Sequence, residues 1–178
     1  AFGQLTRNLH GLPMKKFQAS IPNFHQLTWR VEQFEAAIAN ATAERKTIAT
    51  EWINKFSSRK DILHTYEQLV ASPDCPLRLM HHDTKINNVL FDKTTHKALT
   101  VCDLDTLMPG RIISDIGDMH RTYLCSVSEE STDFEAINVR KSFYDAIIEG
   151  YLSELEGILT ETEKAHLHFG GVFMLYMQ

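Results

Sequence analysis

Between Leu79 and Gly110 the chain reads LMHHDTKINNVLFDKTTHKALTVCDLDTLMPG, with two polar clusters set among short apolar runs. The first holds His81, His82, Asp83, Thr84 and Lys85, followed by Asn87 and Asn88; the second is Asp103-Leu104-Asp105. Carboxylates gathered in one cleft repel one another, and ionising them together is costly. A divalent cation removes that cost. Magnesium takes oxygen ligands, keeps several waters and meets substrate phosphates, so Asn88 and Asp103 suit it as ligands. Asp83 is then free to act as a base, and Lys85 can offset negative charge on a phosphoryl oxygen. One Asp taking a hydroxyl proton while an Asp and an Asn hold metal is the division of labour of phosphoryl transfer.

Such groups need elements to bring them together. Val89-Leu90-Phe91 and Ala98 to Cys102 read as two strands joined by a polar turn over 92–97, a β-hairpin. An antiparallel return sets the hairpin's entry beside its exit, so Asp83, Asn88, Asp103 and Asp105 can line one cleft. Leu77 to Met80 reads as a further short strand, and Pro109-Gly110 as a turn. The rest is helical. A short helix and a long loop occupy 1–28. Val31, Phe34, Ile38 and Ala41 keep helical spacing, as do Ile48, Trp52 and Phe56, then Ile62, Tyr66 and Leu69. Pro73 and Pro76 end that region. Helices are expected again at about 115–125, 132–154 and 160–176, the last opened by a capping box of Thr160 and Glu163. The fold class is α+β: a mainly helical body with a small patch of strands. Trp29 and Trp52 sit at helical spacing and are read as core, Met80, Met108 and Met119 as core or pocket lining, and Cys102 as strand packing.

His81-x-Asp83-x-x-x-x-Asn88 followed by strand, turn, strand and Asp103-Leu104-Asp105 resembles the aminoglycoside phosphotransferase and choline kinase group, a branch of the protein-kinase-like fold. The fuller text, HHDTKINNVLFD and VCDLDTLMPG, is most similar to bacterial N-acetylhexosamine 1-kinases, which phosphorylate the anomeric hydroxyl with ATP and magnesium. The resemblance implies Asp83 as catalytic base, Asn88 and Asp103 as holders of metal and nucleotide, and Asp105 as support or an additional ligand. It implies His81 as a brace of the loop and Asp115 as the buried aspartate tied to the loop backbone, with Asp118 the alternative for that brace. His25 and Arg111 are candidates for contact with the acceptor sugar. The resemblance also implies two lobes. These 178 residues read as the larger, C-terminal one, because no Gly-x-Gly-x-x-Gly and no strand-borne lysine occurs. Both ends read as the interior of a longer sequence, so the chain alone is expected to be inactive.

Composition narrows the rest. A formal net charge of −5 with no basic block argues against nucleic acid as a partner. Cys75, Cys102 and Cys125 form no CxxC pair, the usage of a reducing cytoplasmic setting. No apolar run is long enough to cross a bilayer. Three rival readings stand beside the sugar kinase. One is a phosphotransferase for an aminoglycoside, choline or homoserine. Another is a metal-dependent hydrolase such as a sulfatase or phosphoesterase, although Cys75-Pro76-Leu77-Arg78 fails the Cys-x-Pro-x-Arg spacing a sulfatase needs. The last is an inactive kinase-like binding lobe, against which the intact Asp83, Asn88 and Asp103 argue.

Overall fold

The computed structural model describes residues 1–128 and 130–178. Helix α1 (Phe2–Asn8) leads through a long loop to α2 (Leu27–Asn40), α3 (Ala43–Ile48), α4 (Thr50–Ser57) and α5 (Lys60–Ala71). Four short strands follow: β1 (Arg78–Met80), β2 (Val89–Phe91), β3 (Ala98–Val101) and β4 (Met108–Gly110). Helices α6 (Ile112–Leu124), α7 (Lys141–Glu154), α8 (Glu161–Ala165) and α9 (Leu167–Met177) complete the body. The architecture is mainly helical with two small antiparallel sheets, the α+β class expected of a protein-kinase-like fold. Among the described residues, no helix is long and apolar enough to cross a membrane.

β2 and β3 form the expected hairpin, with Val89 opposite Val101 and Leu90 opposite Thr100. Its turn is closed by Asp92, whose Oδ1 accepts from the backbone of Thr94 and Thr95. Pro109-Gly110 departs from expectation. Instead of turning, it extends as β4 and pairs with β1, Leu79 opposite Pro109 and Met80 opposite Met108. A proline fits here because the ribbon has only two strands, so one side of β4 needs no donor.

The core centres on α6 and α9. Every residue from Ile112 to His120 is buried. Helix α9 is apolar nearly all round, as a helix inside a core must be, and Phe173 and Met174 are fully buried. The two helices approach through glycine. A Cβ on Gly117 would lie 2.3 Å from the Gly170 carbonyl oxygen, and one on Gly170 would lie 2.7 Å from Ile116 Cγ2. Met80, Met108 and Met119 are buried as expected.

Beneath the strands lies a buried ion pair. Arg78 on β1 donates through Nε and Nη2 to the two oxygens of Glu163 on α8, at 2.8 and 2.7 Å. The same guanidinium donates to the Ile158 carbonyl at 3.1 Å. Glu163 also completes the capping box, accepting from Thr160 N at 2.9 Å while its own N–H donates to Thr160 Oγ1 at 3.0 Å.

Other expectations are corrected. The helix expected at 132–154 begins only at Lys141. Before it, Asp133 caps a single tight turn over Phe134–Ala136, and Val139 bridges to Cys125. The last helix is two: at His166 the backbone leaves helical geometry while Nδ1 bonds the Thr162 carbonyl. Trp52 is not core. It is 57% exposed, with Lys55 Nζ 4.9 Å over its ring. Trp29 is half-buried under Arg30.

Candidate active site

The site is a loop held from below by one helix. After β1 the chain turns through His82, whose φ of 66° lies in the left-handed region that β-carbons disfavour. Such a turn persists only where its surroundings hold it. Asp115 supplies the hold: Oδ2 accepts from His81 N at 3.0 Å and Oδ1 from His82 N at 2.8 Å. One helical turn on, Asp118 Oδ2 accepts from Thr84 N at 2.6 Å and from Thr84 Oγ1 at 3.2 Å. Farther along the same helix, the Tyr123 hydroxyl donates to the Thr84 carbonyl. Burial pushes the Tyr123 phenol up, so it stays a donor. Asp115 and Asp118 therefore divide the bracing role for which they were alternatives. Burial pushes Asp115 up to about 6 against the pull of the two N–H groups. Burial likewise raises Asp118, although Arg121 beside it opposes the shift.

His81 is fully buried and joins the loop to the hairpin. Its Nδ1 accepts from Asp83 N at 3.3 Å, so Nε2 is the nitrogen that donates to the Cys102 carbonyl at 3.0 Å. Its own carbonyl accepts from Thr106 Oγ1 at 2.6 Å. Cys102 N donates to the Asn88 carbonyl at 2.9 Å, closing the hairpin's base. The two polar clusters are thus tied through backbone, as the hairpin reading requires.

Asp83 Oδ2 accepts from Lys85 Nζ at 2.7 Å and from Asn88 Nδ2 at 2.9 Å. Asn88 Nδ2 also donates to the Asp83 carbonyl at 2.8 Å. This turns the amide nitrogen toward the loop and leaves Asn88 Oδ1 as the group able to meet a cation. Asp103 leaves β3 at a φ of 60°, a conformation Asp tolerates better than most residues. It is exposed, and its charge acts on Lys85. Asp105 is exposed too; its backbone carbonyl accepts from Ser20 Oγ at 3.0 Å. Among the described residues, no three His, Cys, Asp or Glu side chains converge as a metal cage. The donor set of Asn88 Oδ1 and the Asp103 carboxylate still fits magnesium, which takes one or two carboxylates and completes its shell with water and phosphate oxygens.

His25 and Arg111 lie on one cavity of about 150 Å³, with His82, Tyr66 and Ser114. Asp83 does not line it. Arg111 Nη2 donates to the Val70 carbonyl at 2.8 Å, tying the start of α6 to the end of α5. His25 Nδ1 lies 3.1 Å from His82 Nδ1. A larger cavity, about 760 Å³, sits on the other side of the hairpin against α1, α6 and α7. It contains none of Asp83, Asn88 and Asp103, so its size says nothing about the chemistry of the loop. The bracing roles of Thr84, Thr106 and Tyr123 escaped the sequence reading. Asp115 and Asp118, expected from the family resemblance, were the one visible sign of a brace.

A strand-ended loop carrying a carboxylate between an ammonium and an amide, braced by a buried helix, fits a kinase-like phosphotransferase. The sequence agrees: a family model described as the phosphotransferase enzyme family (APH) matches residues 1–159, and the chain belongs to that family. Among solved structures it is similar to an aminoglycoside-3'-phosphotransferase of type VIII, at 20% identity and a TM-score of 0.47, covering 99% of this chain and 58% of that one. It is also similar to aminoglycoside phosphotransferase APH(3'')-Id from Streptomyces rimosus, at 17% identity and a TM-score of 0.48, covering 98% of this chain and 61% of that one. The chain thus spans about three-fifths of the length of those two proteins.

Proposed function

We propose that this chain is the catalytic-loop and acceptor-binding lobe of an ATP-dependent phosphotransferase acting on a small-molecule hydroxyl. The observation that carries the reading is the Asp83 carboxylate, held between Lys85 Nζ and Asn88 Nδ2 on a loop whose backbone is fastened by α6. Membership of the phosphotransferase family favours transfer over the hydrolase reading. Asp83 orients the acceptor hydroxyl and takes its proton as the oxygen attacks. Lys85 moves its charge from Asp83 to the transferred phosphoryl oxygens, where negative charge accumulates. Asn88 Oδ1 and the Asp103 carboxylate would hold magnesium, with Asp105 beside them; when bound, the ion neutralises the phosphates of ATP and keeps them in line. His81 keeps the loop and the hairpin in register.

The family supports the broader acceptor class: an aminoglycoside, choline, homoserine or a related small molecule. The narrower candidate, the anomeric hydroxyl of an N-acetylhexosamine, rests on the text HHDTKINNVLFD and DLDTLMPG. A nucleotide-binding lobe is proposed to complete the ATP site, and the cytoplasm, where ATP is available, is the proposed location. The test is ATP turnover by the full-length protein over a panel of hexosamines, aminoglycosides, choline and homoserine. Turnover confined to an N-acetylhexosamine, and lost with its 1-O-methyl derivative, supports the narrow reading. Equal turnover of the blocked sugar would sink it, and ATP consumption with no acceptor dependence would sink both.

A further inference from the structure

His25 and His82 meet beside the loop, their Nδ1 atoms 3.1 Å apart and their rings inclined at 70°. With both rings neutral, a single proton lies between those nitrogens, and His82 decides which of them carries it. The Cε1–Nε2 edge of His82 presses on β4: a Cβ at Gly110 would lie 2.3 Å from Cε1 and 2.5 Å from Nε2. The carbonyls of Met108 and Pro109 act on this ring as acceptors, while Nε2 is sealed from solvent and makes no hydrogen bond of ordinary geometry. A bare lone pair set against carbonyls is repelled, and an N–H is attracted. His82 is therefore protonated on Nε2, its Nδ1 is the acceptor, and the shared proton belongs to His25 Nδ1.

That choice fixes the far edge of the His25 ring. Its Nε2 carries a lone pair and no proton. Among the described residues it has no protein partner, and it is not sealed from solvent. His25 also lines a depression of about 250 Å³ with Phe24, Arg30, Met177 and Gln178, and the Asp83 charge is felt at its ring. Burial first, then the charges of His82, Arg121 and Arg30, hold His25 down to about 3; burial holds His82 down to about 4. Both rings are neutral at physiological pH.

We propose that His25 binds the acceptor molecule, its Nε2 accepting a hydrogen bond from a neutral O–H or N–H, and that His82 is the positioning residue that fixes the tautomer. A sugar hydroxyl or an amide N–H supplies that donor, while a group that can only accept finds no partner at a bare Nε2. This rests on the phosphotransferase reading of the same site. It adds to it the atom, His25 Nε2, at which the acceptor would dock.

Two measurements on the full-length protein test it. Nitrogen-15 spectra of histidine-labelled protein should show His25 protonated on Nδ1 with a bare Nε2, and His82 protonated on Nε2; His25 protonated on Nε2 overturns the proposal. In kinetics with N-acetylglucosamine and ATP, His25→Phe should raise KM for the sugar about tenfold, the loss of one hydrogen bond, with KM for ATP unchanged. His25→Gln, which keeps an acceptor oxygen, should recover part of that loss. His82→Phe should weaken sugar binding in a way not additive with His25→Phe. A merely structural pair would move both KM values together, and that result overturns the assignment. If the wild type turns over no acceptor, the phosphotransferase reading falls, while the nitrogen shifts still decide the histidine pair.

Discussion

Lys85 Nζ stands 2.7 Å from Asp83 Oδ2, the oxygen proposed to take the acceptor proton. Burial works to raise the Asp83 carboxyl, but hydrogen bonds from Lys85 and Asn88 and the charge of Lys85 outweigh it and hold the group below the usual range. As the proposed base, Asp83 is ionised at neutral pH and should lose activity only when acid protonates it. Lys85→Met should therefore shift the acid limb of kcat/KM to higher pH, besides slowing transfer. A pH–rate profile of the two proteins checks this; an unmoved limb would show that Lys85 does not govern Asp83.

Base and metal holder should separate by phenotype. Asp83→Asn keeps the shape and removes the proton acceptor, so turnover should fall by about 10²- to 10⁴-fold with magnesium dependence unchanged. Asp103→Asn should instead raise the magnesium needed for half-maximal rate. Magnesium titrations of both variants decide the point, and identical curves would refute the division.

Asp115 makes a stability prediction. Each oxygen of the Asp115 carboxyl accepts from one of two successive N–H groups; an amide in its place would turn an N–H₂ toward one of them. Asp115→Asn should cost about 1–3 kcal/mol, the penalty of an unsatisfied buried donor. The pH dependence has a definite sign. The folded pKa, pushed up to about 6, exceeds the unfolded value of about 3.9. The contribution of this group is thus fully present below about pH 4 and is lost as pH rises through about 6. Urea unfolding of wild type and variant across that window should show a slope that the variant lacks.

Two glycines in neighbouring helices should respond oppositely. Gly117→Ala drives a Cβ into the Gly170 carbonyl at 2.3 Å, and the α6–α9 contact must open. The expected loss is about 1–3 kcal/mol, enough to override the helix propensity of alanine. Gly150 on α7 has open space where a Cβ would go, so Gly150→Ala should gain up to about 1 kcal/mol. Thermal melts of both variants read the contrast directly.

The hairpin was legible because its pattern is local: a β-rich run, a polar turn and a second run. The brace Asp115, with Asp118 as its alternative, was legible only through the resemblance that the loop motif carries, not from local spacing. β4 was hidden because Pro109-Gly110 looks like a turn to any local rule, and its partner β1 lies some thirty residues earlier in the chain. The late start of α7 has the same cause, since the Cys125–Val139 bridge is tertiary and overrides helical spacing. The His25–His82 contact joins segments far apart in sequence, so its proton arrangement could not be read in advance.

The Arg78–Glu163 pair bears on where this chain can be cut. The family match ends at residue 159, ahead of Glu163. A protein trimmed to that boundary would retain Arg78 on β1, just before the proposed catalytic loop, and discard both of the oxygens that neutralise it. Removing one member of such a pair costs about 3–5 kcal/mol, a large share of what holds a domain folded. The edge of the recognisable pattern is therefore not an edge of the folding unit, and deletion libraries or fusions should keep Glu163 with Arg78.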